Sequence, residues 1–188
     1  MGEHYDATRE LGAWDQPGYD AKAWHAVDLG TGAKGVLEAF PGNPVREYAR
    51  LQPKSITEPT PGAYVLDLGQ NLAGYVELRV RGKKGQKITL RFAERLNPDG
   101  TVYTTNLRGA RTIDTYVCKG RGVEVWKPRF TFHGFQFVEV TGRTSKPTAD
   151  TVTGIAISSA TPLAGTLETS DPMLNQLVSN AWWTQKMN

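Results

Sequence analysis

Cysteine is almost absent: Cys118 is the only one in 188 residues, which excludes an intramolecular disulfide and a paired-cysteine zinc site. Histidine is nearly as scarce, and His4, His25 and His133 stand too far apart in sequence to offer a metal-ligand spacing. For His133, between Phe132 and Gly134 at a strand junction, a structural role is expected. No stretch is long and apolar enough to span a membrane, and no signal-peptide pattern occurs within these residues, so the compartment stays open. Glycine-rich phosphate loops and nucleophile elbows are missing as well. Charge of neither sign dominates: 22 Lys and Arg against 19 Asp and Glu leave a net charge of +3. The one basic run, Arg79, Arg81, Lys83 and Lys84, falls at a strand end and turn, where solvated charge is the ordinary explanation. These absences point away from nucleic acid, membrane and cofactor chemistry.

What is present is a β pattern. Val76, Leu78 and Val80 alternate with Glu77, Arg79 and Arg81, the period of a strand with one face in a core. Ile88, Leu90 and Phe92 repeat the alternation, and Gly82, Lys83, Lys84 and Gly85 between the two runs predict an antiparallel hairpin. Residues 64–68, 113–118, 135–140 and 152–158 add four strands, and 45–56 one more within the Gly- and Pro-rich passage 29–61. The count predicts an all-β fold, a two-layer antiparallel β-sandwich.

A single helix is expected at 170–188. Ser170, Asp171 and Pro172 form a start signal, and Leu174, Leu177, Val178, Ala181 and Trp182 recur on one face that needs a cover. No earlier helix offers one, so the segment reads as the opening of a further, helical domain. At the other end Tyr5, Trp14, Tyr19 and Trp24 crowd a stretch too short to enclose them, which predicts the remnant of another sheet.

Catalytic constellations are sparse. Glu94, Asp99 and Asp114 are carboxylates of the kind that sugar hydrolysis uses in pairs, but Asp99, in Asn97, Pro98, Asp99, Gly100, reads as a turn-former. The densest polar segment is 103–114, where Asn106, Arg108, Arg111 and Asp114 can lock an irregular loop or face a partner. These four are the interdomain or substrate-cleft candidates. Arg108, just before Gly109, is expected to be an internal lock and Arg111 an interface residue.

The run Asp67, Leu68, Gly69, Gln70, Asn71, then Ala93, Glu94, Leu96, Asn97, Pro98, Asp99, Gly100, then Asn106, Leu107, Arg108, Ala110, Asp114 and Tyr116 resembles bacterial α-L-rhamnosidases. Pro128, Arg129, Phe130, His133, Gly134, Phe135 and finally Ser170, Asp171, Pro172, Leu174, Asn175 continue the likeness in the same order. The resemblance implies a modular enzyme that hydrolyses terminal L-rhamnose from rhamnosylated glycosides with inversion. Residues 1–40 would be the remnant of an N-terminal β-sandwich, 41–165 a sandwich of concanavalin-like or jelly-roll type, and 166–188 the start of a helical catalytic barrel. The catalytic glutamates of the family lie in that barrel, so no catalytic residue is assigned here. Some members carry calcium in the first sandwich, but Pro17, Gly18, Tyr19 and Asp20 would supply only part of such a site, and no metal or cofactor is expected.

Two other readings remain open: a carbohydrate-binding module that stacks a sugar ring on Trp14, Trp24, Tyr103 or Trp126, and a structural spacer. Exposed aromatics would favour the former. Their burial would favour the accessory or spacer readings.

Overall fold

The computed structural model describes residues 2–32 and 34–187, which divide into a unit of residues 1–8 and 43–188 and a second unit, Arg9–Gly42. In chain order the first unit contains β1 (His4–Asp6), β2 (Val45–Leu51), β3 (Ser55–Thr60), β4 (Ala63–Val80), β5 (Lys87–Ala93), β6 (Arg95–Leu96), β7 (Val102–Tyr103), β8 (Ile113–Val117), β9 (Glu124–Trp126), β10 (His133–Thr141), β11 (Val152–Ser159) and α1 (Pro172–Met187). The expected single strand at 45–56 is two strands, because Gln52, Pro53 and Lys54 interrupt it and Pro53 has no N–H to donate to a ladder.

The strand order β1-β8-β5-β10-β4-β11-β2, with β3 and β9 both on β4, makes one curled nine-stranded sheet, consistent with the expected sandwich, and β6 and β7 form a separate pair. The first part of β4 pairs with β10 and β3, and its last part pairs with β11 and β9. Gly69, at φ 71°, lies in the irregular stretch where the pairing of β4 with β10 shifts register, and Gly74 is the residue that pairs with both β10 and β11. Leu68 from the first half meets Gly154 of β11 so closely that a Cβ at Gly154 would lie 2.5 Å from Leu68 Cδ1. A side chain at that position would force Leu68 to move.

Alternation along the strands builds the core. Leu66, Leu68, Val76, Leu78, Val80, Ile88, Leu90, Phe92, Tyr116, Phe135, Val138 and Val140 are buried in one cluster, while Glu77 and Arg79 stay outside. Each buried aliphatic or aromatic side chain contributes about 1.5–3 kcal/mol relative to exposure.

Two expectations change here. The runs at 76–80 and 88–92 are not hairpin partners: β5 pairs with β10 and β8, and the end of β4 pairs with β9. The turn itself forms, with Gln86 N–H donating to Lys83 O at 2.9 Å and Gly85 at φ 82°. It leads from the β9-paired end of β4 into β5, on the far side of β10, so Val80 and Ile88 contribute to one core from different ladders. The sandwich is also not wholly antiparallel, since β1 joins β8 in parallel, pairing Tyr5 with Tyr116.

Helix α1 begins as its start signal predicts. Asp171 Oδ1 accepts the Met173 N–H at 2.8 Å, and Asn175 exchanges side-chain bonds with Thr169. The face it covers differs from the expected stripe. Trp183 packs against the core cluster and sits 5.7 Å from the Tyr48 ring, whereas Leu174 and Leu177 remain 48% and 62% exposed.

Beyond Arg9, which ends the short 3-10 helix Ala7–Arg9, the described residues of the Arg9–Gly42 unit form turns and irregular backbone. Its aromatics gather on one another: Trp14 and Trp24 lie 6.1 Å apart, and Tyr19 meets Trp24 edge-on at 5.9 Å. Tyr5 does not belong to that cluster. It stacks on Tyr116 at 5.9 Å and lies 6.0 Å from Trp126, and these rings supply the cover its sequence neighbours could not.

Candidate functional site

The polar segment around Asn106 separates into a buried part and an exposed part. Asp114 shares the inward face of β8 with Tyr116 and Cys118, which places its carboxylate in the interior at 0% exposure. An unpaired carboxylate there is prohibitively costly, so its partners define the site. The Glu3 backbone N–H donates to Asp114 Oδ1 at 2.8 Å, and His133 Nε2 lies 3.1 and 3.2 Å from the two carboxylate oxygens. His133 is buried on β10 and stacks on Phe92 of β5 at 4.4 Å. Asp114 and His133 therefore tie the ends of β8 and β10 together across β5 and fix β1 in place. The structural role expected of His133 is the one it has.

A second buried carboxylate, Glu124 on β9, lacked a sequence signal. It accepts the Tyr116 hydroxyl at 2.8 Å and the N–H groups of Lys119 and Gly120 at 2.8 and 2.9 Å. Burial pushes the Glu124 carboxyl up, but those donors outweigh it and hold the group below its ordinary value. Beside it Cys118 is pushed up to about 11, first by burial and then by the Glu124 charge. The thiol stays protonated at neutral pH.

At the surface, Asn71 Nδ2 donates to Glu94 Oε1 at 3.2 Å and Asn106 Nδ2 to Glu94 Oε2 at 3.3 Å. Glu94 thus joins β4 to the short turn of helix at Thr105–Leu107. Asn71 Oδ1 is buried with no hydrogen-bond partner. The only sequence hint of this trio is that Asn71, Glu94 and Asn106 all fall in the short motifs quoted above.

Arg108 and Arg111 are exposed, and among the described residues neither forms an ion pair. This corrects the expectation that Arg108 is an internal lock. Arg108 ends the Thr105–Leu107 turn at φ 55°, ψ −115°, so its own backbone makes the reversal while the residue stays exposed. Of the four candidates, Asn106 is tied to Glu94, Asp114 is an internal lock, and the two arginines are apart from both.

The aromatic candidates also divide. Trp126 is 6% exposed in the core, with Tyr116 at 5.4 Å and Tyr5 at 6.0 Å, so no sugar ring can lie on it. Tyr103 is half-buried on β7 opposite Arg95. Trp14 and Trp24 keep 54% and 49% of their surface exposed.

Two cavities accompany these features. One of about 190 Å³ lies between the end of β11 and α1, lined by Ser158, Ser159, Thr161, Trp182 and Lys186 among others. The other, of about 210 Å³, lies at the end of β4 among Arg79, Arg81 and Arg143.

Comparison with known proteins gives these features a context. The bacterial alpha-L-rhamnosidase concanavalin-like domain matches residues 57–158, and the alpha-L-rhamnosidase N-terminal domain matches residues 1–49. An alpha-L-rhamnosidase of Streptomyces avermitilis is 49% identical over 188 residues, which is 100% of this chain and 18% of the relative. One from an Alteromonas species is 34% identical over 190 residues, again 100% of this chain and 20% of the relative. The solved structure of the Streptomyces avermitilis alpha-L-rhamnosidase complexed with L-rhamnose superposes with a TM-score of 0.93 over 98% of this chain and 18% of that one. That of the alpha-L-rhamnosidase from Dictyoglumus thermophilum, 34% identical, gives 0.96 over 100% of this chain and 21% of that one. The chain thus spans about a fifth of the length of the curated relatives it matches, 18% of one and 20% of another. With a sandwich of the expected kind and a matching domain over more than half its length, the chain belongs to the bacterial α-L-rhamnosidase family.

Proposed function

We propose that the chain is a non-catalytic, accessory part of an inverting α-L-rhamnosidase, a glycoside hydrolase whose whole form removes terminal L-rhamnose from rhamnosylated glycosides. In this reading residues 1–40 belong to an N-terminal β-sandwich, 41–165 form the concanavalin-like sandwich, and 166–188 lead into a helical catalytic domain. The exposed Asn106, Arg108 and Arg111 face that domain or the edge of the substrate cleft, and Asp114 supports the segment from beneath. No cofactor or metal takes part.

The observation that carries the reading is the state of the carboxylates. Inverting hydrolysis needs an acid and a base about 6.5–9.5 Å apart across the scissile bond, with room for water between them. Here Asp114 is enclosed by His133 and the Glu3 amide, Glu124 by three donors, and Glu94 is held by two asparagines. Each is thus engaged in hydrogen bonds that hold the fold together. Incubating this chain with a chromogenic α-L-rhamnoside is expected to release nothing above blank. Turnover that disappears in Glu94→Gln or Asp114→Asn would overturn the assignment.

The exposed Trp14 and Trp24 pair favours sugar stacking as a second reading. Titration with L-rhamnose while following tryptophan fluorescence separates the two: saturable quenching lost in Trp14→Ala and Trp24→Ala supports a binding module.

A further inference from the structure

The basic run in the sequence does more than solvate a turn. Arg79 lies on the outer face of β4 and Arg81 directly follows its last residue, Val80, which turns into the core at 3% exposure. Both arginines border the cavity of about 210 Å³, and Lys83 and Lys84 do not. Arg143 reaches the same cavity from the loop after β10. Its position is set by Gly142, at φ 83°, whose backbone lies against the Lys87 carbonyl and whose own carbonyl accepts the Gln86 side-chain amide at 2.7 Å. Arg143 Nε donates to Ser145 O at 3.1 Å, which orients its fork. The hydroxyl-bearing Thr148 and Thr151 complete the lining; Thr151 is 4% exposed and accepts the Thr148 N–H at 2.9 Å.

Among the described residues, none of the three arginines has a carboxylate partner. Asp150 is the only acidic residue in the lining, so three cations face one anion. Arginine is the side chain best suited to oxyanions, because its planar fork offers paired N–H donors and stays charged when partly desolvated. Burial lowers the Arg143 pKa, so its charge lacks full solvation, a deficit that a bound anion would offset. Simple surface charge would not need three guanidiniums from two separate segments around one concavity with a buried hydroxyl in its wall.

We propose that the cavity bounded by Arg79, Arg81, Arg143, Thr148 and Thr151 is a binding site for one oxyanionic group, either a free inorganic anion or the anionic substituent of a saccharide. The site is independent of the glycosidase reading and stands or falls on anion binding alone.

The test is an NMR titration of the isotopically labelled chain with sodium sulfate and, separately, with sodium glucuronate, at constant ionic strength balanced by chloride. Saturable shifts at the Thr148 and Thr151 amides are expected with at least one of them. Sulfate alone would identify an inorganic or sulfated ligand, and glucuronate a carboxylated saccharide. The double variant Arg79→Gln/Arg81→Gln removes two exposed side chains for which no hydrogen bond or ion pair is found among the described residues, and is expected to bind at least tenfold more weakly. Asp150→Asn is expected to tighten binding severalfold, while Asp99→Asn, which makes the same charge change away from the lining, leaves it unaltered. Shifts that stay linear like those of chloride, undiminished binding in the double variant, or equal effects of the two aspartate changes would each overturn the proposal.

Discussion

Arg111 and Asp114 are separated by two residues and by a complete change of environment. On one side of Thr112 the chain is a short helical turn and an exposed reversal, with Arg108 and Arg111 in water. On the other it enters β8, where the ladder with β5 imposes alternation and Asp114 is forced onto the same face as Tyr116. Both halves are polar. The difference teaches that polarity does not decide burial here: strand register does, and a charged residue caught on the inner face must then be matched by a partner from elsewhere, in this case His133.

The largest test of that contrast is Asp114→Ala. It strands the His133 ring and the Glu3 amide in the interior and is expected to cost about 3 kcal/mol or more, the usual effect of breaking a buried pair. Denaturant melts with unchanged m-value report it directly, and a loss below 1 kcal/mol would mean that the lock is not one.

Glu124→Gln comes next. The amide cannot serve three donors as the carboxylate does, and a loss of about 1–3 kcal/mol is expected at neutral pH. The sign with pH is determined. A carboxyl held lower in the folded state than in the unfolded chain stabilises the fold above its ordinary pKa of 4.5, and that contribution fades as pH falls through the lowered folded value. Stability curves of the parent and Glu124→Gln should therefore converge in acid. Curves that run parallel from pH 7 to the acid limit would contradict this.

The smallest expected effect belongs to the exposed side. Arg108→Ala and Arg111→Ala should each change stability by no more than about 0.5 kcal/mol, as befits surface residues without partners. Arg108→Gly is expected to gain up to about 1 kcal/mol by relieving the positive φ that arginine tolerates poorly. A costly Arg108→Ala would revive the lock that the structure assigns to Asp114. Between these extremes, native Cys118 should resist alkylation at pH 7 and react on unfolding, because its thiol is buried and its pKa is pushed up to about 11.

Much of the architecture was legible beforehand because alternation is a local signal. The inward sets Val76, Leu78, Val80 and Ile88, Leu90, Phe92 are where the period puts them, and Asp171 caps α1 as its residue type predicts. Partner choice was not legible. The Gly82 to Gly85 turn looks the same whether it closes a hairpin or joins two strands that are not neighbours, and β10, which lies between β4 and β5, comes some forty residues later. The site was legible as a list of polar residues. Which of them face water depended on register, and Glu124 was invisible because its three donors, Tyr116, Lys119 and Gly120, lie close by in the chain but form no recognisable motif.

The sequence by itself determined the class of fold, the presence of one capped terminal helix and the family likeness, since each rests on residue type at short spacing. Tertiary structure alone decided that β1 runs parallel to β8, that Tyr5 and Trp126 share a buried cluster, that Asp114 is enclosed while Arg108 is not, and that three arginines from two segments border one cavity. Short-range preferences act through the backbone conformation of a few residues. Long-range juxtapositions depend on which faces bury the most apolar surface together, and that is settled only when the whole sandwich closes.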